Sequence, residues 1–222
     1  MGGGNSLKAI IFLGPSLSHA EARKILDADY RPPVKRGDLI PIYSENDVVV
    51  GIIDGVLFSE SAVGHREILG LLERGITVVG GGSMGALRAS ELKDFGMIGV
   101  GKVFDMYSSG VIEGDDEVAI VFNPETLEPL SEALINIRYN LKSAVNLGII
   151  SESQSEDIIR ELKEIYFPER SYEKALEIAH KKLKRNEFNR LREYLMKHAK
   201  DLKKSDAELV ITTIKNLIYA EK

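Results

Sequence analysis

The first half of the chain alternates short runs of consecutive apolar residues with helical patterns; the second half carries helical patterns alone. Lys8 to Leu13 is an apolar run stopped by Gly14-Pro15, which predicts a buried first strand. Asp47 to Ile53, with Val48-Val-Val-Gly-Ile-Ile53 apolar on both faces, predicts a central strand of a parallel sheet. Ile76 to Val79 predicts a third, Val118 to Phe122 a last, and Leu39 to Tyr43 a short possible one. Between them, Ser18 and Glu21 make a capping box that opens a helix with Ala22, Ile25 and Leu26 as its apolar face. A second helix runs over Ser61 to Arg74, with Ala62, Ile68, Leu69, Leu71 and Leu72 inward and Gly75 as its stop. A third follows Ser83 and ends at Gly96, and Val103 to Tyr107 fits a short helix or turn. Tyr30 to Asp38, with Pro32-Pro33, and Phe95 to Gly101, with spaced glycines, are expected as irregular loops.

From Ser131 onward five helical segments follow with polar starts: Ser131 to Leu147, Ser153 to Tyr166, Ser171 to Lys184, Phe188 to His198 and Ser205 to Tyr219. Residues 1–130 carry a net charge of −8 and the remainder +3, which supports a boundary near Pro129. The expected architecture is α/β: an open, mostly parallel sheet flanked by helices in residues 1–129, then a helical domain in residues 130–222.

Composition narrows the chemistry. The 222 residues contain no cysteine, so disulfides, zinc–thiolate sites, persulfide carriage and cysteine nucleophiles are excluded. A net charge of −5 argues against a general nucleic-acid binder, which needs a basic footprint. No apolar run approaches the ~20 residues of a membrane span and no signal peptide is visible, so a soluble, cytoplasmic protein is expected.

The strongest local signal is Ile76-Thr-Val-Val-Gly-Gly-Gly-Ser-Met-Gly-Ala-Leu-Arg-Ala-Ser90, a strand, a sharp turn and a helix. Gly81, Ser83 and Gly85 fit the G-x-S-x-G spacing that pushes one hydroxyl out at the carboxyl edge of a sheet. Three readings are open: a serine N-cap, a phosphate site, or a nucleophile beside the positive end of a helix. The lysine of a Walker A loop is missing, and the glycines do not follow the first strand, so no nucleotide cofactor is expected. Asp54 closes the central strand and His65 starts the next helix, so topology carries Asp54, His65 and Ser83 toward one sheet edge. A serine nucleophile needs a base and an orienting carboxylate, which makes these three the catalytic candidates. Glu67 is a second acidic candidate, and Asp54 could equally cap a turn. Arg88, five residues after Ser83, can hold an anionic substrate or pair with Glu91.

Two charged stretches remain. Glu113 to Glu117, with Asp115, Asp116 and Glu117, could hold a hard cation, though a solvated loop explains it as well, and no metal is expected. Lys181-Lys-Leu-Lys-Arg185 is either a solvated helix face or a surface for an acidic protein.

Seven ordered blocks make the chain resemble the TfuA-like proteins: Phe12 to Ser16, Tyr30 to Asp38, Ile53 to Gly55, His65 to Leu69, Gly82 to Ala89, Phe95 to Gly101 and Gly114 to Val118. The resemblance implies a partner of a YcaO enzyme, which activates a peptide amide oxygen with ATP so that sulfide replaces it, giving a backbone thioamide. Modified targets in that family are methyl-coenzyme M reductase in methanogenic archaea and ribosomal peptides in bacteria. The implied role is to recruit or activate the YcaO enzyme toward its peptide or protein substrate and to help deliver sulfur, through hydrolysis of a thiocarboxylated ThiS-like carrier. In that chemistry Ser83 would attack the carbonyl, His65 would be the base, amides around Gly82, Met84 and Gly85 would hold the oxyanion, and Arg88 the anionic tail. A non-catalytic activator or scaffold is the alternative.

Overall fold

The computed structural model describes residues 7–57 and 61–220. Five parallel strands form one sheet in the order β2-β1-β3-β4-β5: β1 Lys8–Phe12, β2 Asp29–Arg31, β3 Val48–Ile52, β4 Thr77–Gly81 and β5 Ile98–Val100. Every connection is a crossover, as parallel pairing requires, and α1 His19–Ile25, α2 His65–Leu72 and α3 Met84–Leu92 are the helices of these crossovers. β3 is buried along its whole length, matching its unbroken valine run. Ser18 caps α1 as expected, its Oγ accepting from Glu21 N–H at 3.2 Å, but Glu21 Oε2 accepts from the Ser18 hydroxyl at 2.8 Å and does not close a capping box on the backbone.

The molecule divides into two compact units, one of residues up to Asp115 together with those from Lys203 on, the other Asp116 to Leu202. In the first, α4 Lys102–Ser108 follows β5, and the long α9 Leu202–Ala220 packs on the sheet. Ala207, Val210, Ile211 and Ile214 join Ile11, Ile53 and Val79 in one buried cluster. Gly51 makes that contact possible, because a Cβ there would lie 2.6 Å from Ile214 Cδ1. Val50, Ile52 and Val78 point to the opposite face by the two-residue period and are equally buried. In the second unit, α5 Leu134–Asn146, α6 Glu152–Glu164, α7 Tyr172–Lys182 and α8 Arg185–His198 enclose their own core, with Leu141, Ile158, Leu162, Ile178, Leu191 and Leu195 at its centre. The amphipathic period of α9 matches that of α5 to α8, so sequence pattern groups it with them, although its apolar face fits the sheet.

Three local expectations are corrected. Leu39 to Tyr43 does not form a strand: Ile40–Ser44 is a 3₁₀ turn, because Pro41 near its start fixes φ and supplies no N–H for a ladder. Val118 to Phe122 is not a strand either, its only pairing being an isolated bridge from Phe122 to Pro129. The last strand is instead Ile98–Val100, within the glycine-spaced segment expected as a loop. There Gly99 is needed for close packing, since a Cβ would fall 2.0 Å from the Phe104 ring. Tyr30 to Asp38 begins with the edge strand β2 and is irregular beyond it.

Candidate functional site

The sheet lays its carboxyl edge open between the ends of β3 and β4, where Asp54, the start of α2 and the turn into α3 converge. Close helix–strand contact explains most of the glycines in the turn. A Cβ on Gly85 would lie 1.7 Å from Ile52 O, and one on Gly80 2.3 Å from Gly85 O. Gly82 has φ +72°, a conformation that favours glycine. The glycine spacing therefore seats α3 against the central strands and fixes where Ser83 emerges.

Ser83 occupies the N-cap position of α3, but its hydroxyl makes no capping bond. The first-turn amides are satisfied elsewhere: Gly85 N–H donates to Ile53 O at 3.1 Å and Ala86 N–H to Ser83 O at 2.9 Å. The residue is 4% exposed. Of the three readings open from sequence, a side-chain N-cap is not what this hydroxyl does.

Asp54 is committed to the loop after β1. Its Oδ2 accepts from Gly14 N–H at 2.9 Å and Ser16 N–H at 3.0 Å, and its Oδ1 from the Ser16 hydroxyl at 2.6 Å. Only 2% exposed, it locks the Gly14-Pro15-Ser16 turn and does not orient His65. Glu67 likewise serves backbone, accepting from Gly37 N–H at 2.8 Å and Gly64 N–H at 3.3 Å.

The carboxylate on His65 is Glu91, from α3. Glu91 Oε2 lies 2.8 Å from His65 Nε2 and 2.7 Å from Arg88 Nη1. A carboxylate only accepts, so the proton of this contact is on Nε2. Arg88 also donates through Nε to Val63 O at 3.2 Å, tying the entry of α2 to α3. His65, Met84, Arg88 and Glu91 share the wall of one cavity of about 620 Å³, completed by Arg36, Glu113 and Asp115 among others. Ser83, Gly82, Gly85 and Asp54 do not line it.

Sequence reasoning missed Glu91 as the partner of His65, since the two stand 26 residues apart and only the crossing of α2 and α3 joins them. It also missed Arg36, whose one signal was the basic loop around Pro32-Pro33. The acidic stretch is largely neutralised: Asp116 pairs with Arg170 at 2.6 Å, and fully buried Glu117 with Arg138 at 2.6 Å and Lys163 at 3.1 Å. Among the described residues no group of three or more acidic or histidine side chains could hold a metal ion.

Fold and site define an open parallel α/β protein with a cleft at the carboxyl edge of its sheet, walled by a histidine–carboxylate–arginine network. The chain belongs to the TfuA-like protein family, whose profile matches residues 54–171, more than half its length. No curated protein matches it in a sequence search. Membership gives it the role of a YcaO-associated partner in thioamidation. Among the described residues no helix is long and apolar enough to cross a membrane.

Proposed function

We propose that the protein supplies sulfide to its YcaO partner by hydrolysing the thiocarboxylate end of a ThiS-like carrier. The observation that carries this is the Ser83 hydroxyl, held at a strand-to-helix turn at the start of α3 and spent on no capping bond. In the reaction Ser83 Oγ attacks the thiocarboxylate carbon and its proton passes to His65. The tetrahedral intermediate expels sulfur, which takes that proton and leaves as hydrogen sulfide, and water then cleaves the acyl-serine to give the carrier carboxylate. Glu91 takes the orienting role that spacing had suggested for Asp54, by holding His65 through Nε2. Arg88 and Arg36 in the same wall suit the anionic end of the carrier. With no cysteine in the chain, the sulfur stays on the carrier until release.

A second reading, a non-catalytic activator that recruits the YcaO enzyme to its peptide or protein substrate, is favoured by one specific observation. Ser83 makes no hydrogen bond to His65 and does not line the cavity that His65 does. A sulfide bypass separates the two. Ser83→Ala is assayed for thioamide formation with the YcaO partner, first with thiocarboxylated carrier and then with free sulfide. The hydrolase reading expects activity lost with carrier and restored by sulfide. Equal activity of wild type and variant with carrier would support the activator.

A further inference from the structure

We infer a second binding site, in the helical unit, for an acidic protein segment that presents one bulky apolar side chain. Between α5 and α8 lies a hollow of about 460 Å³, lined by Tyr139, Asn146, Leu147, Tyr194, His198 and Lys200. Leu147 is 60% exposed at its edge, an uncovered apolar side chain beside two tyrosines. Tyr194 and His198 lie one turn apart on α8, with tilted rings whose centroids are 6.3 Å from each other, and build one wall. Such a surface buries a phenyl or branched aliphatic group, and the ring hydroxyls and Asn146 leave its rim polar.

Charge selects the occupant. Between Lys181 and Lys200 only two residues are acidic, and both are engaged: Glu187 accepts from Lys184 N–H at 3.0 Å, and Glu193 pairs with Lys197 at 2.8 Å. Among the described residues Lys181, Lys184, Arg185, Arg190, Arg192 and Lys200 make no ion pair, whereas Lys142, Lys163 and Lys174 of the same unit do. Arg190 stands four residues before Tyr194 and so shares its face of the helix, and with Lys200 in the lining it flanks the hollow with positive charge. A nucleic-acid backbone would satisfy the cations but leave the hollow without a match, while an acidic peptide with an apolar anchor uses both.

The probe is a fluorescent peptide of alternating glutamate and aspartate around a single phenylalanine, titrated by polarisation against the full chain. The expected result is saturable binding, weakened at least about tenfold when the phenylalanine becomes alanine, and by a similar factor in Leu147→Glu and in Lys200→Glu. Leu147 is exposed, and Lys200 meets Asn140 through its backbone only, so both variants keep the fold, which circular dichroism verifies. No saturable binding, equal binding of the phenylalanine and alanine peptides, or tighter binding of a single-stranded oligonucleotide of equal charge would each overturn the inference. None of these outcomes bears on Ser83, which lies in the other unit.

Discussion

Gly85→Ala probes the packing that places the site. The added methyl would begin 1.7 Å from Ile52 O and 2.6 Å from Ile52 C, both backbone atoms of the central strand that cannot rotate away. To reach ordinary contact, α3 must withdraw by roughly an ångström or more, since interiors are close-packed and do not absorb a methyl. Withdrawal breaks the 3.1 Å bond from Gly85 N–H to Ile53 O. Overpacking costs about 1–3 kcal/mol and a lost buried bond about 1–3 more. Alanine returns about 1 kcal/mol in helix propensity, leaving a net loss of roughly 1–5 kcal/mol, centred near 3. For a chain of this size that is a fall in Tm of roughly 2–20 °C by calorimetry, centred near 10 °C. Gly64→Ala is the control, because its nearest neighbour is Glu67 Oε1 at 3.8 Å and its φ is −83°. It should melt within about 4 °C of wild type, since Gly64 is the N-cap of α2 and alanine there costs up to about 1 kcal/mol but meets no clash. If the two variants melt alike, the contact between α3 and β3 is not as tight as described, and the glycines need another explanation.

Three further outcomes follow from the same contacts. Asp54→Ala leaves the Gly14 and Ser16 amides without their acceptor and should cost about 2–4 kcal/mol in urea unfolding; an unchanged midpoint would show that the carboxylate does not hold the turn. Glu117→Gln removes the buried charge shared by Arg138 and Lys163 and should cost about 2–4 kcal/mol, a loss that stays below ~1 kcal/mol only if the pairing is superficial. The hydrogen bonds from Lys204 and Ser18 hold the Glu21 carboxyl at about 2, below its usual 4.5, so the stability it adds is complete above pH 4.5 and fades as pH falls toward 2. Burial raises Asp206, which acts in the opposite sense by losing stability as pH rises from 3.8 through its raised value. Urea midpoints of Glu21→Gln should accordingly fall less steeply than wild type between pH 4.5 and 2.

The parallel sheet was legible because its central strands announce themselves: Val48 to Ile53 is apolar on both faces, and only a sheet covered on both sides needs that. The short edge strands were not, since Asp29–Arg31 and Ile98–Val100 span three residues each and take their pairing from neighbours rather than from pattern. The return of α9 to the sheet was equally hidden, because periodicity shows that a helix has an apolar face but not which surface meets it. At the site, spacing placed Ser83 at a strand-to-helix turn and His65 at a helix start on one edge, as found. It could not reveal that Asp54 serves the β1 loop or that Glu91 reaches His65, because three-dimensional neighbours 26 residues apart leave no mark on a single sequence.

The central claim is that this chain cleaves the carbon–sulfur bond itself, through Ser83. Purified protein, with no YcaO enzyme present, is mixed with thiocarboxylated carrier, and free sulfide is followed against carrier alone. The account predicts sulfide release by wild type, lost in Ser83→Ala while that variant retains its Tm. Release by the variant at the wild-type rate, or none by wild type, would contradict it.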